Sequence, residues 1–208
     1  MKIDLSLIGM EKGRQYETII TTKNCDNTYN AAPIGVICSA PDRIVNRIFK
    51  GSHTLDNIIR EREFIVNITH DVEVFTISTI ENLPQDYFGD GGTLKCGDAF
   101  FKCEVISLKE AVKQSDPIKK KDEAIVIKAQ VTELVIKNNT KAFNRGFSYV
   151  VETLANFTRF DLADDNKKED YINKFREAYR VTRKVGTADD KKAMTIIKKE
   201  LENRGYEP

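Results

Sequence analysis

Apolar and β-branched residues cluster early in the chain into two runs, Tyr16–Lys23 and Ala31–Ser39, separated by the polar segment Asn24–Asn30. Asn and Asp suit a turn, so the pattern predicts a β-hairpin. Its second run opens on Asn30-Ala31-Ala32-Pro33. Small side chains and a proline are poor material for a strand centre. Because proline donates no backbone hydrogen bond, Pro33 is expected at an edge, a bulge or a strand start.

Further along, the pattern predicts strands at Ile3–Leu7, Arg43–Phe49, Phe64–Thr69, Phe100–Leu108 and Ala124–Ile136. Two short helices fall between them. One is capped by Thr54 and carries Leu55, Ile58 and Ile59; the other is capped by Asp71 and carries Val74, Phe75 and Ile77 or Ser78. Ile80–Thr93, with Pro84 and Gly89-Asp90-Gly91-Gly92, reads as a long loop, and Lys109–Asp122, with Pro117, as a charged solvated excursion. Strand-helix alternation is too irregular for repeated βαβ units. A closed antiparallel barrel of Greek-key type, mainly β with inserted short helices, is the expected fold.

After Asn138-Asn139 the period changes to 3.6. Phe143, Phe147, Val150, Val151, Leu154 and Phe157 predict a helix over 142–160, Tyr171 to Thr182 a second closed by Gly186, and Thr187 onward a third. Two domains are expected, a barrel at 1–138 and a C-terminal helical appendage at 139–208.

Composition narrows the function classes. The 208 residues carry 33 basic and 32 acidic side chains, a formal charge of +1, so no global field draws the chain to nucleic acid or an anionic membrane. Four cysteines without a C-x-x-C pair and two scattered histidines suggest reduced thiols and no metal site. Apolar runs stay well short of the ~20 residues of a membrane span, and the charged N-terminus is unlike a signal peptide. A cytoplasmic protein is expected.

The candidate chemistry lies at Lys50-Gly51-Ser52-His53-Thr54. The first amides of a helix lack internal partners and carry the positive end of its dipole, so a phosphate placed there gains amide, hydroxyl and ammonium contacts together. Taken alone, the pentapeptide reads more simply as an ordinary capped helix after a turn. No acid, base or nucleophile accompanies the hairpin, so catalytic side chains stay unassigned, and no G-x-G-x-x-G run marks a nicotinamide domain.

The order strand, Asn-Ala-Ala-Pro-Ile-Gly, strand, Lys-x-Ser-x-Thr at a helix start resembles the FMN-binding split-barrel, or flavin reductase-like, family. Glu17–Thr22, Arg62–Asn67, Phe143–Gly146 and Thr158-Arg159 resemble a mostly archaeal subgroup described as a domain of unknown function, with helices after the barrel. The resemblance covers roughly residues 14–160. It implies FMN as cofactor, with Asn30, Ala31, Ala32, Pro33 and Ile34 along the isoalloxazine ring and Lys50, Ser52 and Thr54 at the phosphate. His53 lies between these phosphate residues. Arg145 is a candidate for the phosphate or a substrate carboxylate, beside the plainer role of positioning its helix; Arg159 suits a helix C-terminus. Of Thr21 and Thr22, alternation turns one inward, and Thr21 is the choice. The resemblance also implies a homodimer with flavin near the interface. Two functions compete: an FMN-dependent oxidoreductase acting with a small-molecule substrate or electron donor, and a non-catalytic flavin carrier or regulatory module.

Overall fold

The computed structural model describes residues 3–112 and 123–208; most of the excursion expected at Lys109–Asp122 therefore lies outside the described residues. By backbone contacts the chain forms two compact units, Met1–Phe143 and Asn144–Pro208.

The first unit is a closed six-stranded antiparallel barrel. Its strands are β1 (Gln15–Lys23), β2 (Tyr29–Ala40), β3 (Arg43–Phe49), β4 (Glu63–Ile68), β5 (Ala99–Val112) and β6 (Glu123–Ile136), in the order β1-β2-β3-β6-β5-β4. Two helices are inserted, α1 (His53–Glu61) and α2 (Val72–Ile80). β3 and β4 are not neighbours; α1 carries the chain between them and packs against β1, β2, β3 and β4. The register of β5 against β6 shifts at Lys102/Cys103 and at Val105/Ser107, irregularities that bend a long strand pair around a barrel.

Alternation sorts the side chains. Tyr16 and Ile20 of β1, Val36 and Cys38 of β2, and Ile44 and Ile48 of β3 join Leu55 and Ile58 of α1 in the barrel core. The opposite face of β1 is also buried. There Ile19 and Ala31 pack with Val74 of α2 and with Leu83, Phe88 and Leu94 from the following segment. That segment, expected as a long loop, holds two 3-10 turns at Gln85–Tyr87 and Asp90–Gly92.

The strand expected at Ile3–Leu7 is a 3-10 turn, Leu5–Ile8. Asp4 accepts the Ser6 amide at 2.9 Å and Gly9, in the left-handed region at φ 71°, closes the turn, so local capping outweighs the β pattern. Leu5, Ile8 and Met10 are buried in the barrel core.

In the second unit α3 (Gly146–Phe157), α4 (Asp165–Val185) and α5 (Ala188–Asn203) enclose their own core of Val150, Phe160, Ile172, Phe175, Met194, Ile197 and Leu201. The helix expected over 142–160 is shorter, because Ala142 and Phe143 belong to the barrel unit. The Ala142 amide donates to Ile8 O and the Glu17 amide to Phe143 O, each at 2.8 Å. Gly186 does close α4, but at φ −67° it needs no left-handed backbone. What it provides is space: an added Cβ would stand 2.6 Å from Thr182 O.

Candidate functional site in the split of the barrel

The β1–β2 ladder runs without interruption from Gln15↔Ile37 to Lys23↔Tyr29. On its other side β2 has β3 as a partner only from Val36 onward. Residues 29–35 are therefore strand on one edge and open on the other. The direction of each backbone group follows from alternation. The Cys38 amide donates to Arg14 O and the Cys38 carbonyl accepts from Gly13 N, both on the β1 side. Tyr29, of opposite parity, turns its amide and carbonyl the other way, where the Gln85 side-chain amide takes both, each at 2.8 Å. Ala31, Pro33 and Gly35 share the parity of Tyr29 and point to the open edge. Pro33 is thus tolerated in mid-strand because the donor it lacks would have faced no ladder.

Beside this edge stands the start of α1. Its N-cap is Ser52, whose hydroxyl accepts from the Leu55 amide at 3.3 Å and donates to Phe49 O at 3.0 Å. This corrects the expected cap at Thr54. Thr54 lies inside the first turn, buried, where its hydroxyl accepts from the Asn30 side-chain amide at 2.9 Å. One hydrogen bond therefore ties the small-residue strand to the Lys50–Thr54 segment, groups 24 residues apart. His53 is exposed at the first helical position. Lys50 donates to Glu110 at 2.8 Å.

Two cavities flank the hairpin tip. One, of about 590 Å³, is lined by Asn30, His53, Asn24, Cys25, Asn57 and Arg60. Its wall is held by Asn57, which donates to Thr22 at 3.0 Å and to Asn24 at 2.7 Å. Arg60 donates to Cys25 Sγ at 3.0 Å and also to Lys23 O, while Glu61 beside it raises the guanidinium further above its usual range. Hydrogen bonds from the Thr28 hydroxyl and amide hold the Asp26 carboxyl below the ordinary range. The other cavity, of about 430 Å³, opens where β1 has β4 as a partner only as far as Thr21↔Ile65, and takes in Thr21, Thr22, Gly92 and Lys102. Tyr29 borders both.

The nominated residues fall out unevenly. Asn30 and Thr54 meet through their hydrogen bond, and Asn30 and His53 line one cavity, whereas Ser52 caps α1 and Lys50 pairs with Glu110; Ala32, Pro33 and Ile34 are half-buried. Ala31 is buried in the outer cluster, so it offers its backbone and not its methyl. Thr21 is not the inward residue. Ile20 and Thr22 share the inner parity, whereas Thr21 sides with Ile19 and donates to Gly92 O at 2.7 Å. Arg145 belongs to the helical unit, at the N-cap of α3. Gln85 and Asn57 were missed: a single polar residue in a loop or on a helix carries no pattern that announces its partner.

Matches to family models cover both units. Residues 16–138 match the N-terminal domain of a protein family of unknown function, DUF447, and residues 144–199 match that family's other model. The chain belongs to the DUF447 family. Among its relatives is the uncharacterized protein MJ1453 of Methanocaldococcus jannaschii, 27% identical over 190 residues, spanning 89% of this chain and 97% of that protein. Among solved structures, the FMN-bound DUF447 protein MM1853 of Methanosarcina mazei is 30% identical, covering 95% of this chain and 100% of that one, with a TM-score of 0.54. The styrene monooxygenase flavin reductase of Pseudomonas putida aligns at 12% identity and a TM-score of 0.47, over 60% of this chain and 82% of that one. The expected antiparallel barrel, with short inserted helices and further helices after it, is present, and the FMN-bound DUF447 protein of Methanosarcina mazei shares this fold. Among the described residues no cluster of His, Cys, Asp and Glu is arranged to hold a metal, and no helix is long and apolar enough to cross a membrane.

Proposed function

We propose that this DUF447 protein binds FMN at the open edge of β2 and works as a flavin-dependent oxidoreductase on a small molecule. The observation that carries the reading is the Asn30–Thr54 hydrogen bond, which sets an unpaired strand edge of small residues beside a helix N-terminus. Backbone donors and acceptors spaced along such an edge fit the pyrimidine end of an isoalloxazine ring. The helix start fits a phosphate, because its first amides have no internal partner. A cavity of about 590 Å³ reaches this start at His53, and its size suits a cofactor of that class. The FMN-bound relative from Methanosarcina mazei supports the same reading.

In the bound state Ala32, Pro33 and Ile34 would lie along the ring. Lys50, Ser52 and His53 would meet the phosphate, and Thr54 would hold Asn30 in place. Bound flavin supplies hydride or single-electron transfer; the protein's own part is to orient it and to restrain water on one face. A homodimer, a small-molecule substrate or electron donor and a cytoplasmic location belong to the same proposal. Arg145 stays a candidate contact at the phosphate or a substrate carboxylate, and Thr21 a candidate wall residue.

The test starts with colour. Purified protein should carry flavin absorption that is released on denaturation, or should bind added FMN. Protein that stays colourless and fails to bind added FMN would refute the assignment. Lys50→Ala should weaken FMN by about tenfold through loss of a charge-assisted contact, with riboflavin affected much less. Anaerobic mixing with reduced nicotinamides then separates an enzyme from a carrier: bleaching of the flavin supports turnover, and no bleaching with any donor favours the carrier.

A further inference from the structure

The groups nominated for the phosphate are largely engaged within the protein. Lys50 is paired with Glu110, the Ser52 hydroxyl caps α1 and bonds Phe49 O, and the Thr54 hydroxyl accepts from Asn30. Arg60, a turn and a half further along α1, holds Glu61, Lys23 O and Cys25. Arg47 differs. Its Nε and Nη2 are buried and meet no hydrogen-bond acceptor among the described residues. Its guanidinium lies over the Phe49 ring, 6.0 Å from the centroid, and forms no ion pair among the described residues.

Nε and Nη2 are the two parallel donors of one guanidinium edge, the edge that takes a carboxylate or phosphate side-on. To shield both from water without an acceptor is costly for a group that cannot lose its charge. The position of Arg47 says what compensates. The last rung between β2 and β3 is Val36↔Asn46, so Arg47 is the first residue of β3 past the point where the two strands part. On its other side it is still held by β6, opposite Val126. It shares the outer face of β3 with Phe49, opposite in parity to the core residues Ile44 and Ile48, and adjoins the open Pro33–Gly35 edge. Three residues later the chain reaches Lys50, and five residues later the Ser52 cap.

We propose that Arg47 is an anion-binding residue of the flavin site, closing side-on onto the phosphate of the bound cofactor. The proposal rests on the flavin reading above and deepens it: Arg47 supplies the bidentate contact that Lys50, shared with Glu110, does not. Its half-buried side chain has length enough to swing this edge toward the split when an anion arrives, and the Phe49 ring holds it nearby until then.

The test compares Arg47→Met and Arg47→Lys with the wild type, as full-length chains freed of flavin, by titration with FMN and riboflavin and by thermal melting. Arg47→Met should weaken FMN by about tenfold or more while leaving riboflavin within about twofold. Arg47→Lys should fall between, since it keeps the charge and loses the fork. Without ligand, Arg47→Met should melt no lower than the wild type, because an unpaired buried charge has been removed; its melting shift on adding FMN should shrink. A residue with a merely structural role gives the opposite signature, a lower ligand-free melting temperature. If the wild type binds neither ligand, the flavin reading itself fails and takes this proposal with it. If the wild type binds FMN and Arg47→Met binds it equally well, or loses FMN and riboflavin alike, the phosphate assignment to Arg47 is overturned and the flavin reading stands. Failure of both variants to fold would mark Arg47 as structural and overturn the proposal as well.

Discussion

Asn67 is fully buried and satisfies three backbone or hydroxyl partners. It donates to Ile19 O at 3.2 Å and to Thr21 Oγ1 at 3.1 Å, and accepts from the Leu94 amide at 2.9 Å. Thr21 in turn donates to Gly92 O. One side chain on β4 thus ties β1 to the segment that covers the outer cluster. Removing it leaves a buried amide and a hydroxyl short of partners, a defect of roughly 2–3 kcal/mol. Asn67→Ala should lower unfolding free energy by about that amount in urea titrations and should speed hydrogen exchange at Leu94. An unchanged Leu94 rate would contradict the role given to this bond. The sequence flagged Asn67 only as one letter of a family-like string. Its hydrogen-bond partners lie 48, 46 and 27 residues away, and no local pattern encodes them.

At the scale of elements, capping chemistry was largely legible. Asp71 accepts from the Glu73 and Val74 amides as expected, and Thr187 forms a reciprocal capping box with Asp190 at the start of α5. Less legible was the packing of the helical unit. Gly146 opens α3, and a Cβ there would stand 2.7 Å from both Gly186 Cα and Asp190 Oδ2. The glycine lets α3 meet the α4–α5 junction at backbone distance. Gly146→Ala should therefore destabilise the helical unit by about 1–3 kcal/mol, the usual cost of overpacking, although alanine is the better helix former. A thermal melt followed by helical circular dichroism measures it; a melting temperature equal to or above the wild type would show that the junction yields freely. The α3 pattern itself misled in one respect. Val150 is buried in the unit's core, but Phe147, Val151 and Leu154 are 68%, 47% and 45% exposed. Periodicity marks a face as apolar; it does not say what covers it.

For the whole molecule, that exposed stripe and the half-exposed Ile37 and Phe49 on the barrel leave apolar surface that a single chain does not bury. Association into a homodimer is the proposed consequence. Sedimentation equilibrium of the full chain should give twice the 23.7 kDa of the monomer. A monomer across the micromolar range would remove the dimer from the proposal.

Alternating and 3.6-residue hydrophobic patterns by themselves determined all six strands, the inserted helices, the antiparallel barrel and the change to helices after Asn138-Asn139, because burial on one face imposes a period that local sequence records. Small residues beside a proline and a hydroxyl-rich helix start nominated the Asn30–Ile34 and Lys50–Thr54 segments, since proline lacks a backbone donor and the first amides of a helix lack internal partners wherever they occur. Tertiary structure decided the rest. That Thr54 bonds Asn30, that Gln85 completes the edge at Tyr29, and that two donors of Arg47 lack an acceptor among the described residues are facts about residues brought together from distant positions. Such contacts depend on where β2 and β3 part, and a strand's period gives its faces but not the rung at which its neighbour leaves it.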